Sequence, residues 1–173
     1  MSSITYAAHV RRAIEMLNKD KLYFGLGGLT PWTGEGEAGV PVTIPSTTPA
    51  SSISDIFAYQ KIVVKYLVYK VDTGGDITYK GYSFKRVDVT DAYANDAYFL
   101  YLEASFNYDE LHIKTYRQLG LYVDLVPSSG STNNQVLLPY QVDSVGVLEY
   151  IMNFEAIARA ADKIDTARVI IQY

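Results

Sequence analysis

KLYFGLGGLTPW, residues 21–32, is the stretch whose reading decides the fold. Leu22, Tyr23 and Phe24 are a short run of bulky and aromatic residues, which predicts a strand. Pro31 fixes φ and pushes Thr30 out of the helical region, so the stretch ends as a rigid extended segment. Between the two, Gly25, Gly27 and Gly28 permit close backbone approach or positive φ. Trp32, the only tryptophan, stands at the exit. A strand therefore runs into a long arm with an aromatic anchor at its root, a shape suited to gripping neighbours. A phosphate loop is the competing reading. It fails because the third glycine position holds Thr30, Pro31 opposes a helix start, and no Gly-Lys-Ser/Thr pair follows.

The arm covers about residues 33–54 and is rich in Pro, Gly, Ser and Thr. Pro41, Pro45 and Pro49 recur at four-residue spacing, after Gly34, Gly36 and Gly39. Pro41-Val-Thr-Ile-Pro45 is expected to be extended without a regular ladder. Loops of this length in a compact domain are usually functional or disordered, so the arm is expected to make contacts or to order on assembly.

Upstream, Ser2 or Ser3 can cap a helix running to about Lys19, with Ala7, Val10, Ile14 and Leu17 on one narrow apolar face. His9 lies near that stripe with Ala13 at i+4, so it reads as a packed residue and not a metal ligand. Downstream, residues 60–71 form the strongest strand pattern. Lys61, Lys65 and Lys70 mark it as lying near an edge. Residues 77–89, broken at Gly81, read as its hairpin partner. Residues 97–106 carry aromatics on both faces, which predicts an internal strand. Residues 113–126 alternate, and a Pro/Ser/Gly/Asn loop at 127–134 separates them from a short strand at 136–138. Residues 146–152 and 167–173 are the last strands. Between them Phe154, Ile157, Ala158 and Ala161 fit a helical stripe.

Seven or eight strands that each bury one face need a second layer. The expected fold is mainly β: a β-sandwich or rolled antiparallel sheet with an N-terminal α-helix and long extended loops. The expected organisation is a helix over 1–20 and a single β-rich domain over 21–173 that carries the 33–54 arm.

The 173 residues carry a net charge of −4, which gives no electrostatic case for nucleic acid or an anionic membrane. No apolar run approaches the ~20 residues of a spanning helix, and residues 1–8 lack the pattern of a signal peptide. With no cysteine, disulfides, thiol catalysis and cysteine-based zinc sites are excluded. The two histidines, His9 and His112, are far apart, and no Gly-x-Ser-x-Gly nucleophile turn occurs. Asp88, Asp91, Asn95 and Asp96 lack EF-hand spacing. Arg117 on an inner strand reads as a structural ion pair. No cofactor and no enzymatic activity are expected.

Three segments carry a resemblance. They are Tyr23-Phe24-Gly25-Leu26-Gly27 with Thr30-Pro31-Trp32 and the proline-rich run; Tyr116-Arg117-Gln118-Leu119-Gly120-Leu121; and Gly146-x-Leu148-x-Tyr150-Ile151-x-Asn153 with Ile157-x-Arg159 and an alternating C-terminal strand. In this order they resemble the baseplate wedge proteins of contractile-tailed bacteriophages, in particular the small dimer-forming wedge subunit of the T-even phages. The family pattern has prolines where Glu155-Ala156 stand here, and a polar turn where Asp162-Lys163-Ile164-Asp165 stand. The resemblance implies an irregular link after Asn153, and residues 153–165 are expected to follow it with at most one helical turn.

The resemblance implies a virion structural protein without an active site. It would be a homodimer within a larger assembly, in contact with other tail and baseplate proteins, located in the tail baseplate and in the host cytoplasm during assembly. Candidate interface residues are Tyr23, Pro31, Trp32, Pro41, Pro45, Pro49, Asn153 and Arg159. Trp32 reads equally as an interface anchor or as a core plug under the arm. A carbohydrate- or ligand-binding β-sandwich module, with tyrosines and Trp32 as a stacking surface, is the alternative; a small hydrolase on a β scaffold is a third reading.

Overall fold

The computed structural model describes residues 4–47, 52–107, 110–111, 113–160 and 164–173. Among these, one α-helix and twelve strands follow in the order α1 (Tyr6–Leu17), β1 (Leu22–Gly27), β2 (Ala58–Lys61), β3 (Val64–Val71), β4 (Ile77–Tyr79), β5 (Tyr82–Val87), β6 (Phe99–Phe106), β7 (Thr115–Val123), β8 (Val126–Pro127), β9 (Val136–Leu137), β10 (Val142–Ser144), β11 (Val147–Ala158) and β12 (Asp165–Gln172). The protein is mainly β with an N-terminal helix and antiparallel pairing, as its sequence predicts.

The chain folds as two compact units. The first comprises Met1–Lys19, Ile62–Ala104 and Ala167–Tyr173; the second comprises Asp20–Lys61 and Ser105–Thr166. Two of the four boundaries between them fall inside β6 and β12.

In the first unit the sheet has the order β12-β6-β3-β5-β4. Helix α1 packs on β3. Thr5 is its N-cap: the Thr5 Oγ1 accepts from the Ala8 N–H at 3.3 Å. The cap expected at Ser2 or Ser3 lies outside the described residues. The buried face is Val10, Ala13 and Met16, with Ala7 exposed, so the inward stripe is rotated from the expected one. Ala13 and Met16 supply the i+3 and i+6 positions that let the helix approach the sheet closely. On another face of the sheet Val68, Phe84 and Tyr101 are buried beneath Val64, Ile77, Tyr79, Phe99 and Ile170. Tyr79 of β4 and Ile170 of β12, the two edge strands, both pack on this one cluster. The sheet of this unit is therefore rolled.

The second unit has a five-stranded sheet of order β11-β7-β1-β2-β9 and a small β10-β8 pair. Strand β7 is buried at every residue after Thr115. Side chains on both of its faces are covered, so the polar side chains in its pattern are buried too. The core here is aromatic: Tyr23, Tyr59 and Tyr122 pack with Ile53, Leu125 and Leu137. Tyr59 meets Tyr122 edge-on at 5.3 Å, above Gly25. A Cβ on Gly25 would lie 2.6 Å from the Tyr122 ring, and Gly120 stands opposite Gly25 in the ladder. The glycine is there to make room for the tyrosines.

Three expectations are corrected. The run 60–71 is not one strand; β2 belongs to the second unit's sheet and β3 to the first's, with Ile62 and Val63 between. Strand β3 is the middle strand of its sheet, not an edge strand. Its lysines have partners instead: Lys65 Nζ donates to the Lys19 carbonyl at 2.6 Å, and Lys70 Nζ stands 3.8 Å over the Tyr82 ring. Residues 153–158 form no helix, and the link expected after Asn153 is part of a strand. Strand β11 runs on to Ala158, with an irregularity between Asn153 and Ile157 opposite Arg117. Pairing with β7, and an edge-on contact of Phe154 with Tyr116 at 5.6 Å, outweigh the small helix preference of the alanines. Residues 161–163 lie outside the described residues.

Candidate functional site

The arm leaves β1 at Gly27 and returns at Ile53 and Ser54. At this exit the Gly28 N–H donates to the Ser54 carbonyl at 2.7 Å. Gly28 has φ +70, and a Cβ there would lie 2.7 Å from the Gln118 Cγ. Both the dihedral and the contact require glycine. The second half of the Gly25–Gly28 pattern is thus a seat for the arm's return.

Arg117, in the middle of β7, is 4% exposed. Its Nη1 donates to the carbonyls of Gly28 at 3.2 Å and Leu29 at 2.9 Å. Its Nε donates to Glu35 Oε2 at 2.5 Å, and its Nη2 to Glu35 Oε1. The same carboxylate accepts from the Trp32 backbone N–H at 3.1 Å. Residues 28–35 are thereby folded around one guanidinium. Such a bidentate, charge-assisted pair fixes geometry as well as energy. The hydrogen bond from Arg117 holds the Glu35 carboxyl below the usual carboxylate range. The hydrogen bond to Glu35 pushes the Arg117 guanidinium up. Neither group changes charge near neutral pH, so the pair is a fixed structural link.

Gln118 extends the clasp. Its Oε1 accepts from the Ser54 N–H at 3.0 Å and the Ser54 hydroxyl at 2.8 Å. Its Nε2 donates to Asn153 Oδ1 at 2.9 Å, and Asn153 Nδ2 donates to the Pro45 carbonyl at 2.9 Å. The Trp32 indole N–H donates to the Phe154 carbonyl at 2.9 Å, within the β11 irregularity. Parts of all three sequence segments that carry the resemblance therefore meet at one place: Trp32 and Pro45 from the first, Arg117 and Gln118 from the second, and Asn153 from the third.

Within residues 35–47 the arm is mostly exposed. Val40, Val42 and Ile44 are 44%, 41% and 40% exposed. Thr33 and Thr43 form an isolated antiparallel bridge.

The expected interface residues fall into distinct places. Pro31, Pro41 and Pro45 are exposed on the arm, and Trp32 is half-buried at its root. Asn153 is half-buried in the clasp. Tyr23 is a core residue, 2% exposed. Arg159, 4% exposed, lies apart from the clasp. It donates from Nε to Asp165 Oδ2 at 3.0 Å and from Nη2 to the carbonyls of Asn107 at 3.0 Å and Phe106 at 3.5 Å. Pro49 and His112 lie outside the described residues. His9 is half-buried against Tyr98, with ring centroids 6.2 Å apart.

Sequence reading identified Arg117 as an ion-paired residue but not its partner. Glu35 and Ser54 carry no role in that reading, in which Gln118 stands only beside Arg117 in the second segment. Their only signal is the Gly-x-Gly turn setting around Glu35, which does not say where the carboxylate points.

Burial pushes the hydroxyls of Tyr59 and Tyr116 up to about 12, so these tyrosines are neutral packing groups. A surface hollow bounded by Asp20, Lys21, Tyr23, Lys61, Val126, Pro127 and Thr132 offers one aromatic side chain. What the site does chemically is hold the root of an arm.

Residues 1–173, the whole chain, match the family model described as "Baseplate wedge 3 tail fiber network component". Virion protein 3 of Enterococcus phage phiEF24C is similar, at 30% identity over 177 residues that cover 99% of this chain and 94% of that protein. The resemblance drawn from the three segments is borne out, and the chain belongs to the family of baseplate wedge 3 tail fiber network components.

Proposed function

We propose that the protein is a non-enzymatic structural subunit of the contractile-tail baseplate wedge. It works through contacts with other tail and baseplate proteins, as a homodimer within the larger assembly, and enters the virion from the host cytoplasm. The observation that carries this reading is the arm: rigidly clasped at its root by Arg117, Gln118 and Asn153, yet exposing Val40, Val42 and Ile44. A buried charged clasp is a costly way to hold a loop. It is a sensible way to present an apolar segment to a neighbour in a fixed direction, because pre-ordering lowers the entropy cost of binding. The ligand-binding alternative needs its aromatics on a concave surface, whereas Tyr23, Tyr59 and Tyr122 are core residues.

Limited proteolysis tests the reading. The free chain should be cut within residues 36–44, and the assembled particle should protect them. Equal cleavage in both states would overturn the arm's role in assembly.

A further inference from the structure

The arm has two edges, and they are not alike. Along an extended segment the backbone N–H and C=O of successive residues point to opposite sides. At positions 41, 43 and 45 they point inward. The Pro41 carbonyl lies against Gly34, where a Cβ would approach it to 2.5 Å. The Thr43 N–H donates to the Thr33 carbonyl at 2.9 Å. The Pro45 carbonyl accepts from Asn153. Both prolines of this segment are thus on the inner edge, where a missing N–H costs nothing.

The outer edge belongs to Val42 and Ile44. Neither backbone N–H has a partner among the described residues. Strands at an edge are normally blunted by proline or by charge. Here the prolines face the other way, and residues 38–47 (AGVPVTIPST) carry no charge. Of the two acids before it, Glu37 is exposed just outside the segment, and Glu35 is held by Arg117.

We propose that this outer edge pairs antiparallel with the same edge of a second copy of the chain. The inference rests on the structural role proposed above and names the surface that serves it. The occupant follows from the sequence of the segment. Pro-Val-Thr-Ile-Pro reads nearly the same in both directions about Thr43. A two-fold axis through Thr43 sets Val42 against Ile44 and each proline against the other proline. Each Val42/Ile44 pair then exchanges both N–H···O bonds, and the cross-strand contacts are between β-branched side chains. An isologous contact of this kind closes on itself and gives a dimer rather than a fibre.

The register makes a sharp prediction. Thr43 faces Thr43 as a non-hydrogen-bonded pair, with Cα atoms about 4.5 Å apart. That spacing lies within the range a disulfide accepts, about 4.4–6.8 Å. The chain has no cysteine, so a single Thr43→Cys reports only on this pairing. Tail particles carrying T43C are oxidised and run without reductant. The expected result is a cross-linked dimer. Adding Val42→Pro removes an outward donor that makes no bond within the chain, and should lower the cross-linked fraction roughly tenfold. A T43C/V42P chain that cross-links as well as T43C overturns the proposal. So does the absence of a cross-link from T43C while residues 36–44 stay protected in the particle, which would assign the edge to a different protein. Absence of a cross-link together with unprotected arms would overturn the structural role of the arm as well.

Discussion

Arg117 and Arg159 are buried alike, each 4% exposed, and each grips two consecutive carbonyls and one carboxylate. Their partners differ. Arg117 takes its carbonyls and its carboxylate from one segment, residues 28–35, and so winds the root of the arm around a single guanidinium. Arg159 follows the end of β11 and takes partners from the exit of β6 and the start of β12, so it ties strand ends together. Its Nη1 has no partner among the described residues, whereas the Arg117 nitrogens that close the clasp are each used. The same chemistry holds a projection in one place and a frame in the other. Burial and charge alone do not tell which; the sequence separation and origin of the partners do.

The strongest way to break this comparison is Arg117→Ala. It orphans two carbonyls and frees Glu35. At about 1–3 kcal/mol for each buried group left unsatisfied, the carbonyls alone cost roughly 3 kcal/mol. Urea unfolding should show that loss, and cleavage within residues 36–44 of the free chain should accelerate. An Arg117→Ala chain with native arm cleavage would show that the clasp does not control the arm.

Arg159→Ala should cost less, about 2 kcal/mol, because one of its carbonyl bonds is long and one nitrogen is already unpaired. Arm cleavage should not change. If it does, the two arginines share a single cooperative unit and the contrast dissolves.

Trp32→Phe keeps a ring at the root of the arm and removes the indole N–H that Phe154 accepts. The expected loss is about 1 kcal/mol, with a small rise in arm cleavage. No change on either measure would mean that Trp32 acts through packing alone.

The mildest perturbation is a proton. Glu35 has a folded-state pKa below the ordinary carboxylate value of 4.5. The ion pair therefore contributes fully above the unfolded value and is lost as pH falls through the folded one. Cleavage of residues 36–44 by an acid-stable protease should rise across that window, and in Glu35→Gln it should be high already at its upper end. A native chain whose arm stays equally protected throughout would mean that the carboxylate is dispensable.

Several of these features could be read in the sequence. The strand opening at Leu22, the break at Gly81, the internal position of β6 and the stop at Pro139 follow from local chemistry that the fold respects. Arg117 as an ion-paired residue was legible because a charge in a strongly apolar strand must be paired. The split of 60–71 between two sheets was not, because an apolar run states burial and not which sheet supplies it. The lysines misled for a similar reason: a carbonyl and an aromatic face at the right distance satisfy them in a central strand. The helical stripe that begins at Phe154 lost, as far as Ala158, to a partner strand elsewhere in the chain. Glu35 was illegible because the sequence gives its turn but not the guanidinium on which it closes.

Tyr79 and Ile170 share one apolar cluster although they stand on opposite margins of their sheet. Open sheet margins are where crowded chains stick and where fibrils grow. In the first unit the two margins carry side chains that pack on one apolar cluster, so they curl toward each other. A sheet curled in this way offers its outermost strands less freely to the edge of another chain than a flat one would.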